Sequence, residues 1–328
     1  MTDPGTRFQE FAVAALPHYL PEPELAGAGL SLLNVSENGT FRLEASPPST
    51  LRVHRSGYHS EQAIRSELAW IEALRTAGAV RTPAFLPALD GSDVVRVQLP
   101  DGRSRHVVRF AWVDGAEPDE SRLVGDFEQL GAIAARLHAH VRTWRRPTGF
   151  TRFTWDYEHS LGKRGLWGDW RDGLGVGAAE RAILTRLDDA LQAALARFGQ
   201  GPERFGLIHA DMRLANLLVA GDEVTVIDFD DCGFGWYMYD FAAAVSFIEH
   251  EPYIPELADA WVRGYREVAR LGDAEVAALP MLVMLRRLLL VAWIGSHSDV
   301  DTARALGAGY TRDSCDLADR YLSGTLFG

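Results

Sequence analysis

Cysteine and lysine are almost absent from this chain of 328 residues. The two cysteines, Cys232 and Cys315, are far apart and have no metal-ligand spacing, so the sequence indicates neither a disulfide framework nor a zinc site. Lys163 is the only lysine, and all other Lys or Arg positions are arginines. Arginine therefore supplies nearly all of the positive side-chain charge.

Net positive charge and a long uninterrupted apolar run are also missing. The formal net charge of -12 argues against a nucleic-acid partner, because phosphate backbones are held mainly by basic surface. The most apolar stretch, 279–295, carries Arg286 and Arg287 at its centre, which would be costly in lipid. The first residues lack a basic leader followed by an apolar run, so we expect a cytoplasmic protein.

The order of periodic segments predicts an α+β protein. Period-two runs are interrupted by one amphipathic helix that begins after Ser60, and they span residues 30–35, 41–45, 50–54, 94–99 and 105–113. Beyond a breaker-rich segment, helical periods dominate, at 122–144, 178–198, 239–249, 256–271, 274–296 and 301–322. We expect a small antiparallel-sheet lobe over 1–114 and a larger, mainly helical lobe over 115–328.

Three polar residues suited to phosphoryl transfer flank two short strand-like runs. The sequence HADMRLAN (209–216) precedes the first run, and Asp228 ends the second. Phosphoryl transfer requires a carboxylate that orients the acceptor hydroxyl and oxygen ligands that hold magnesium. Asp211, Asn216 and Asp228 provide these groups at the spacing of the protein-kinase catalytic loop. The alternative, in which Asp211 and Asn216 only stabilise a tight turn, leaves Asp228 unexplained.

HADMRLAN together with VIDFDD (226–231) resembles the aminoglycoside phosphotransferase and choline kinase superfamily. The resemblance covers most of the chain and is nearest to the stress-response kinase A and bacterial homoserine kinase subgroup. It implies a two-lobed protein-kinase-like fold that uses ATP and magnesium. By this likeness Asp211 is the catalytic base and His209 supports the loop backbone. Asn216 and Asp228 are the implied magnesium ligands.

The phosphates of the nucleotide are expected to meet a cation in the N-terminal lobe. Kinases place this cation on a strand and pair it with a glutamate on the following helix, and Arg52 and Glu67 take these positions here. Arg52 stands where lysine is usual, and a guanidinium is not an equivalent donor, so ATP is expected to sit differently, bind weakly or yield to another nucleotide. An exposed strand arginine is the alternative.

Two further segments complete the expected nucleotide site. The loop 34–41 is similar to the phosphate-covering loop of stress-response kinase A, which adds Ser36 and Asn38. The strand end that carries Phe110 and Trp112 is expected to offer backbone hydrogen bonds to adenine, although these rings also suit a core.

The sequence gives weaker signals for the residues near the transferred phosphate and the acceptor. Arg213 is expected to stabilise charge on the γ-phosphate, with a surface arginine as the alternative. Asp240 is expected to cap the helix that follows and to brace the catalytic loop. Residues on segments that could face the acceptor, each of which also suits a structural role, are Asp231, Trp236, Glu249 and Trp293.

The sequence therefore predicts an ATP- and magnesium-dependent phosphotransferase that acts on a hydroxyl of a small molecule such as an aminoglycoside, an amino alcohol or a sugar. A protein serine or threonine acceptor, as in stress-response kinase A, is the second interpretation. A nucleotide-binding pseudokinase, suggested by Arg52, is the third, and the intact Asp211, Asn216 and Asp228 argue against it. Neither a nucleic acid nor a membrane is expected as a partner.

Overall fold

A computed structural model describes residues 4–35, 37–118, 122–297 and 300–327. The helices are α1 (Pro4–Tyr19), α2 (Glu22–Leu25), α3 (Glu61–Thr76), α4 (Leu123–Thr143), α5 (Tyr157–Ser160), α6 (Ala178–Phe198), α7 (Tyr239–Ala244), α8 (Ile254–Val268), α9 (Asp273–Ala277), α10 (Leu279–Ser296) and α11 (Asp301–Leu322). The strands are β1 (Gly29–Val35), β2 (Gly39–Glu44), β3 (Ser49–Val53), β4 (Phe85–Leu86), β5 (Val95–Gln98), β6 (Ser104–Ala111), β7 (Phe153–Trp155), β8 (Phe205–Ile208), β9 (Leu217–Ala220), β10 (Glu223–Val226) and β11 (Gly233–Trp236).

The chain divides into two compact units, each assembled from three stretches of sequence. The first unit comprises Met1–Ala116, Arg145–Arg152 and Leu218–Asp230. The second comprises Glu117–Trp144, Phe153–Leu217 and Asp231–Gly328.

An antiparallel sheet forms the centre of the first unit. Its strands run in the order β1-β2-β3-β6-β4, and β5 also pairs with β6. Apolar side chains at alternate positions, such as Phe41 and Leu43 on β2, point to one buried face and pack against Phe11 of α1. The Tyr19 hydroxyl at the end of α1 donates to the Val107 carbonyl oxygen at 2.9 Å. Burial of this face therefore fixes the register of β3, which carries Arg52.

Helix α3 follows the sheet at the predicted position. The Ser60 hydroxyl caps it by accepting a hydrogen bond from the Ala63 amide at 3.2 Å. The helix buries a stripe with a period of three to four residues, which also carries Glu67 into the interior, and the apolar members of this stripe are Ile64, Leu68, Ile71 and Leu74.

The second unit contains a three-stranded sheet and a close helix pair, and the segment 209–216 follows strand β8 of that sheet. Strand β11 lies between β7, to which it is parallel, and β8, to which it is antiparallel. Helices α4 and α8 approach so closely that a Cβ atom at Gly131 would collide with the main chain of Trp261. A Cβ atom at Gly264 would likewise collide with the Glu128 carbonyl. Only glycine permits this approach at both positions.

Two of the predicted helices differ from those observed. The helix expected over 239–249 ends at Ala244, and Phe247 just beyond it has a φ of +76°. The helix expected over 274–296 is divided at Ala278 into α9 and α10, with Pro280 in the first turn of α10, where a missing N–H costs nothing. The predicted class, an antiparallel-sheet region followed by a helical region, is confirmed.

Helix α10 is buried on nearly all sides. Among the described residues, Asp273–Ser296 is the one segment long and apolar enough to cross a membrane, and 89% of its most apolar window is buried inside the protein. Burial in the core of the second unit accounts for its composition.

Candidate active site

The catalytic loop begins where β8 ends, and a buried carboxylate holds its backbone. Ala210 adopts a left-handed φ of +66°. Asp240 on α7 accepts hydrogen bonds from the backbone N–H groups of Ala210 at 2.7 Å and of His209 at 3.3 Å, and it bonds to His138 Nε2 at 2.9 Å. The bracing role predicted for Asp240 is confirmed. The capping role is wrong, because the N-cap of α7 is Met238.

His209 also supports the loop, as the family likeness implied. Its Nδ1 accepts a hydrogen bond from the Asp211 amide at 3.3 Å. His209 is completely buried, in keeping with a role in the loop rather than at an exposed surface.

Cationic and amide groups surround the Asp211 carboxylate. Oδ1 lies 3.1 Å from Arg286 Nη2 and 3.2 Å from Arg213 Nε. Oδ2 accepts from Asn216 Nδ2 at 2.9 Å and lies 3.4 Å from Arg213 Nε. Burial alone would raise the pKa of Asp211, but Arg213 and then Arg286 favour the charged form, and the net pKa is below its ordinary value. The carboxylate is therefore held ionised.

Arg286 contacts Asp211, and the sequence did not identify it as a site residue. Its guanidinium reaches Asp211 from α10, and it also donates through Nε to Ser246 Oγ at 3.1 Å and through Nη1 to the Tyr239 hydroxyl at 3.3 Å. The rings of Trp167 and Tyr239 lie 5.0 and 5.8 Å from its central carbon. The signal in the sequence is an arginine pair inside an apolar helix, which argues against a membrane span but does not identify Asp211 as the partner of Arg286.

In the first unit, the structure brings together the predicted phosphate cation and its glutamate. Arg52 Nη2 donates to Glu67 Oε1 at 2.5 Å, and Arg52 Nη1 lies 3.7 Å from Asp228 Oδ1. The arginine is therefore not an exposed strand residue. Burial would lower the pKa of Arg52, but the carboxylates of Glu67, Asp230 and Asp228 outweigh it and raise that pKa.

The sequence also did not indicate a buried polar cluster at the residues that follow Asp228. Arg152 Nη2 donates to the carbonyl oxygens of Phe229 and Asp230, and its Nη1 donates to the Ala63 carbonyl of α3 at 3.0 Å. His59 Nε2 bonds to the Asp230 carbonyl at 2.8 Å. These contacts tie the backbone after Asp228 to helix α3. They join residues up to 171 positions apart, so no local sequence pattern marks them.

Three of the other predicted nucleotide residues, Asn38, Phe110 and Trp112, have intramolecular contacts. Ser36 lies outside the described residues. Asn38 Oδ1 accepts from the Arg55 amide at 2.9 Å, next to the strand that carries Arg52. The Phe110 ring lies 5.2 Å from the Arg52 guanidinium carbon. Trp112 donates from Nε1 to Asp114 at 2.9 Å, and its ring stacks against an arginine of β2.

The acceptor candidates have different surroundings. Trp236 is a core residue whose Nε1 donates to the Gly199 carbonyl at 2.7 Å. The Glu249 carboxylate has a fully buried side chain and bonds to Arg287 at 2.6 Å and to the Tyr310 hydroxyl at 3.1 Å. These two residues are therefore engaged within the second unit.

As acceptor residues, Trp293 and Asp231 stay predictions, and their contacts are as follows. The Trp293 ring lies 6.0 Å from Phe247, and the Phe247 ring lies 5.8 Å from the Arg213 guanidinium. This row of contacts links Trp293 to the partner of Asp211. Asp231 is partly buried, and its carbonyl accepts from Trp155 Nε1 at 2.8 Å. Phe247 was missed, and its left-handed backbone is a position where strain in a bulky residue often marks function.

Asn216 and Asp228 have donor groups suited to a hard divalent cation. Within the described part of the chain, the Asn216 side chain donates twice through Nδ2, to the Asp211 carbonyl at 2.7 Å and to its carboxylate at 2.9 Å, so Oδ1 remains as an acceptor. The Asp228 side chain is 48% exposed. No group of three or more His, Cys, Asp or Glu in the described part of the chain could hold a metal by itself. Magnesium typically binds through one or two protein oxygens plus substrate phosphates, and each of the two side chains offers an oxygen of that kind.

Comparison with known proteins places this chain in one enzyme family. Residues 32–279 match the sequence profile of the phosphotransferase enzyme family, and the chain belongs to that family. It is therefore a kinase-type phosphotransferase with the protein-kinase-like fold, as predicted.

Three of the similar proteins are named as kinases of small molecules. The solved structure of a microcompartment-associated aminopropanol kinase is 51% identical, covers 98% of this chain and 99% of its own, and has a TM-score of 0.90. Amicoumacin kinase of Bacillus subtilis (strain 168) is 24% identical over 85% of this chain and 84% of its own length. Homoserine kinase of Gluconobacter oxydans (strain 621H) is 30% identical over 69% of this chain and 71% of its own length.

Proposed function

We propose that this enzyme transfers the γ-phosphate of ATP to the hydroxyl of a small amino alcohol. The observation that carries the acceptor class is the 51% identity, over nearly the whole of both chains, with an aminopropanol kinase. Homoserine, named for a second relative, also carries an amine and a hydroxyl. An amino alcohol was one of the acceptors that the sequence left open.

Asp211 is the residue that we assign to the acceptor hydroxyl. Its carboxylate is ionised and partly exposed, at 16%, so it can accept a hydrogen bond from that hydroxyl. The acceptor oxygen forms a bond to the γ-phosphorus as the bond from that phosphorus to the bridging oxygen breaks and ADP leaves. The hydroxyl proton passes to Asp211. Because the transition state of phosphoryl transfer is loose, orientation by a weak base is sufficient.

We assign three cationic groups to stabilise the negative charge of the ATP phosphates: Arg213, Arg52 and a divalent cation. Arg213, with a side chain 36% exposed, is free enough to turn toward the γ-phosphate. Arg52, held by Glu67, is assigned to the other phosphates. Asn216 and Asp228 would hold a divalent cation, which we propose to be magnesium, and which would neutralise phosphate charge when bound.

The small-molecule acceptor is preferred over a protein. The three relatives described above are named as kinases of aminopropanol, amicoumacin and homoserine, and none is named as a protein kinase. The chain keeps Asp211, Asn216 and Asp228, and Arg52 is paired with Glu67, which argues against a pseudokinase. Since ATP is abundant in the cytoplasm, we propose that the enzyme acts there.

The test is a substrate panel with the purified enzyme. ATP labelled at the γ-phosphate is supplied with magnesium, and the acceptors are aminopropanol, homoserine, an aminoglycoside, a sugar and propanol, which lacks the amine. We expect a phosphorylated product from aminopropanol, identified by mass spectrometry, and none from propanol. Transfer to the sugar or the aminoglycoside but not to an amino alcohol would contradict the proposed acceptor class.

A further inference from the structure

We propose that Arg286 is a positioning residue for phosphoryl transfer: its guanidinium fixes the orientation of the Asp211 carboxylate through Oδ1, while Arg213 is the partner of Asp211 that can leave. This inference rests on the proposed role of Asp211 and adds a residue to it. The contrast between the two arginines carries the argument.

Three hydrogen bonds hold the guanidinium of Arg286 in one position. Its side chain is 3% exposed, and each of its three nitrogens has a separate acceptor, on Asp211, Ser246 and Tyr239. Planar arginine donates in a fixed fork, so acceptors from three parts of the chain define one orientation of the group. The aromatic ring of Trp167 lies 5.0 Å from the guanidinium carbon and further restricts it.

The side chain of Arg213 is more exposed than that of Arg286 and is less tightly held. Its side chain is 36% exposed, and its Nε lies between the two oxygens of Asp211, at 3.2 and 3.4 Å, rather than making one short bond. The aromatic ring of Phe247 lies 5.8 Å from its guanidinium carbon. The pair is partly exposed, with side chains 36% and 16% exposed, so water screens it more than it screens the contact of Arg286, whose side chain is 3% exposed.

The hydrogen-bond capacity of the carboxylate gives the two arginines different consequences. A carboxylate has about four lone-pair sites. Arg286 takes one on Oδ1 and Asn216 takes one on Oδ2, which together fix the plane of the group. When Arg213 turns toward the transferred phosphate, it leaves a site on a carboxylate that the other two residues still hold. The acceptor hydroxyl occupies that site.

Tyr239 extends the support to α7. Its hydroxyl accepts from Arg286, and the next residue, Asp240, accepts from the backbone of the catalytic loop. The first turn of one helix therefore holds the Asp211 side chain through Arg286 and the backbone before Asp211 through Asp240.

Arg287 provides a matched control. It is the next residue of α10 and is equally buried, at 1% against 2%. Its guanidinium bonds to Glu249, Ser314 and the Tyr310 carbonyl, and no bond to Asp211 is among its contacts in the described residues. Variants of Arg286 and Arg287 thus remove the same chemical group from the same helix, and only the first removes a contact with Asp211.

The experiment measures kcat and KM for ATP with aminopropanol in Arg286→Ala, Arg286→Lys and Arg287→Ala, after correction for the folded fraction by circular dichroism. We expect Arg286→Ala to lower kcat about 10²-fold, since small displacements of a catalytic group have effects of that size, while KM for ATP stays near the wild-type value. Arg286→Lys should fall between. Added guanidinium ion, below denaturing concentration, should restore part of kcat in Arg286→Ala and none in Arg287→Ala.

Equal losses of kcat in the folded fractions of Arg286→Ala and Arg287→Ala, or a loss in Arg286→Ala confined to KM for ATP, would overturn the inference. If Arg286→Ala does not fold, Tyr239→Phe takes its place, because it removes one acceptor of the guanidinium and keeps the charge. A reduced kcat with unchanged KM for ATP is then expected, and an unchanged kcat would overturn the inference. Phosphate transfer by the wild-type enzyme tests the proposed function separately.

Discussion

The Asp240 carboxylate accepts a hydrogen bond from the Ala210 amide at 2.7 Å, at a residue whose φ is +66°. A left-handed backbone is unfavourable for alanine by roughly 1–2 kcal/mol, and the bond to a buried carboxylate offsets this cost. The next residue is Asp211, so this pair of residues sets the direction in which the proposed catalytic carboxylate leaves the main chain.

The first prediction follows from that pair. In Asp240→Asn, the side-chain NH₂ group would face an N–H donor, so at least one hydrogen bond is lost. We expect the free energy of unfolding to fall by about 1.5–3 kcal/mol, the range for a hydrogen bond to a charged group, and kcat to fall more than tenfold. Urea unfolding and steady-state kinetics measure the two effects. Asp189→Asn, at an exposed position of α6, is the control; equal kcat values in both variants would contradict the prediction.

A second prediction concerns the buried pair of Arg52 and Glu67. Arg52→Met leaves the Glu67 carboxylate buried without its main partner, so we expect a loss of about 3–5 kcal/mol in the free energy of unfolding. The double variant Arg52→Met/Glu67→Leu should recover most of that stability, because it also removes the buried carboxylate that the single variant leaves without its main partner.

Nucleotide binding should respond differently from stability in these variants. Neither Arg52→Met nor the double variant should show the magnesium-dependent thermal shift with ATP that we expect of the wild type, because the proposed phosphate cation is absent from both. Recovery of ATP binding in the double variant would contradict the assignment of Arg52 to the phosphates.

The third prediction is a dependence of stability on pH. Burial is the main cause that lowers the pKa of His59 from 6.5 to about 4, and Arg152 and His54 lower it further against the opposing charges of Asp230 and Glu67. The unfolded chain therefore binds a proton at His59 between these pH values and the folded chain does not. Stability should be full above pH 6.5 and fall toward pH 4, by at most about 3 kcal/mol from this residue.

Thermal unfolding at about pH 7 and about pH 4.5 measures this effect. His59→Gln, whose amide can still donate to the Asp230 carbonyl, should lose less stability on acidification than the wild type. His250→Gln, at an exposed position, should behave as the wild type does. An identical loss in both variants would contradict the role of His59.

The fourth prediction tests the packing of α4 against α8. In Gly264→Ala the new methyl group would collide with the Glu128 carbonyl, so we expect the free energy of unfolding to fall by about 1–3 kcal/mol or more. Gly125→Ala, on α4 with open space around it, should instead be neutral or stabilise by up to about 1 kcal/mol. Urea unfolding of both variants checks the difference, which disappears if the helices are not in close contact.

Local patterns predicted the elements that carry the chemistry. Helix α6 begins and ends at the residues that its apolar period predicts. The strands next to Arg52 begin and end within one or two residues of their predicted bounds. HADMRLAN places Asp211 and Asn216 within hydrogen-bonding distance because both lie on one short loop. Spacing along the chain is sufficient information for contacts of this kind.

Long-range contacts could not be predicted in this way. Arg286 lies 75 residues from Asp211, and its helix has an apolar pattern that marks burial but no specific partner. Arg152 reaches the backbone next to Asp228 from a segment without a recognisable motif. The break in the helix after Ala244 follows from the left-handed backbone at Phe247, a residue type that gives no sign of such a conformation.

The most direct test of the account compares Asp211→Asn with the wild type in transfer of γ-labelled phosphate from ATP to aminopropanol, with Asp222→Asn in the exposed turn between β9 and β10 as the control. We predict that Asp211→Asn lowers kcat by about 10²–10⁴-fold while the protein remains folded and still binds ATP with magnesium, and that Asp222→Asn is unchanged. Equal kcat values in the folded Asp211→Asn and Asp222→Asn enzymes would contradict the assignment of Asp211 to the acceptor hydroxyl.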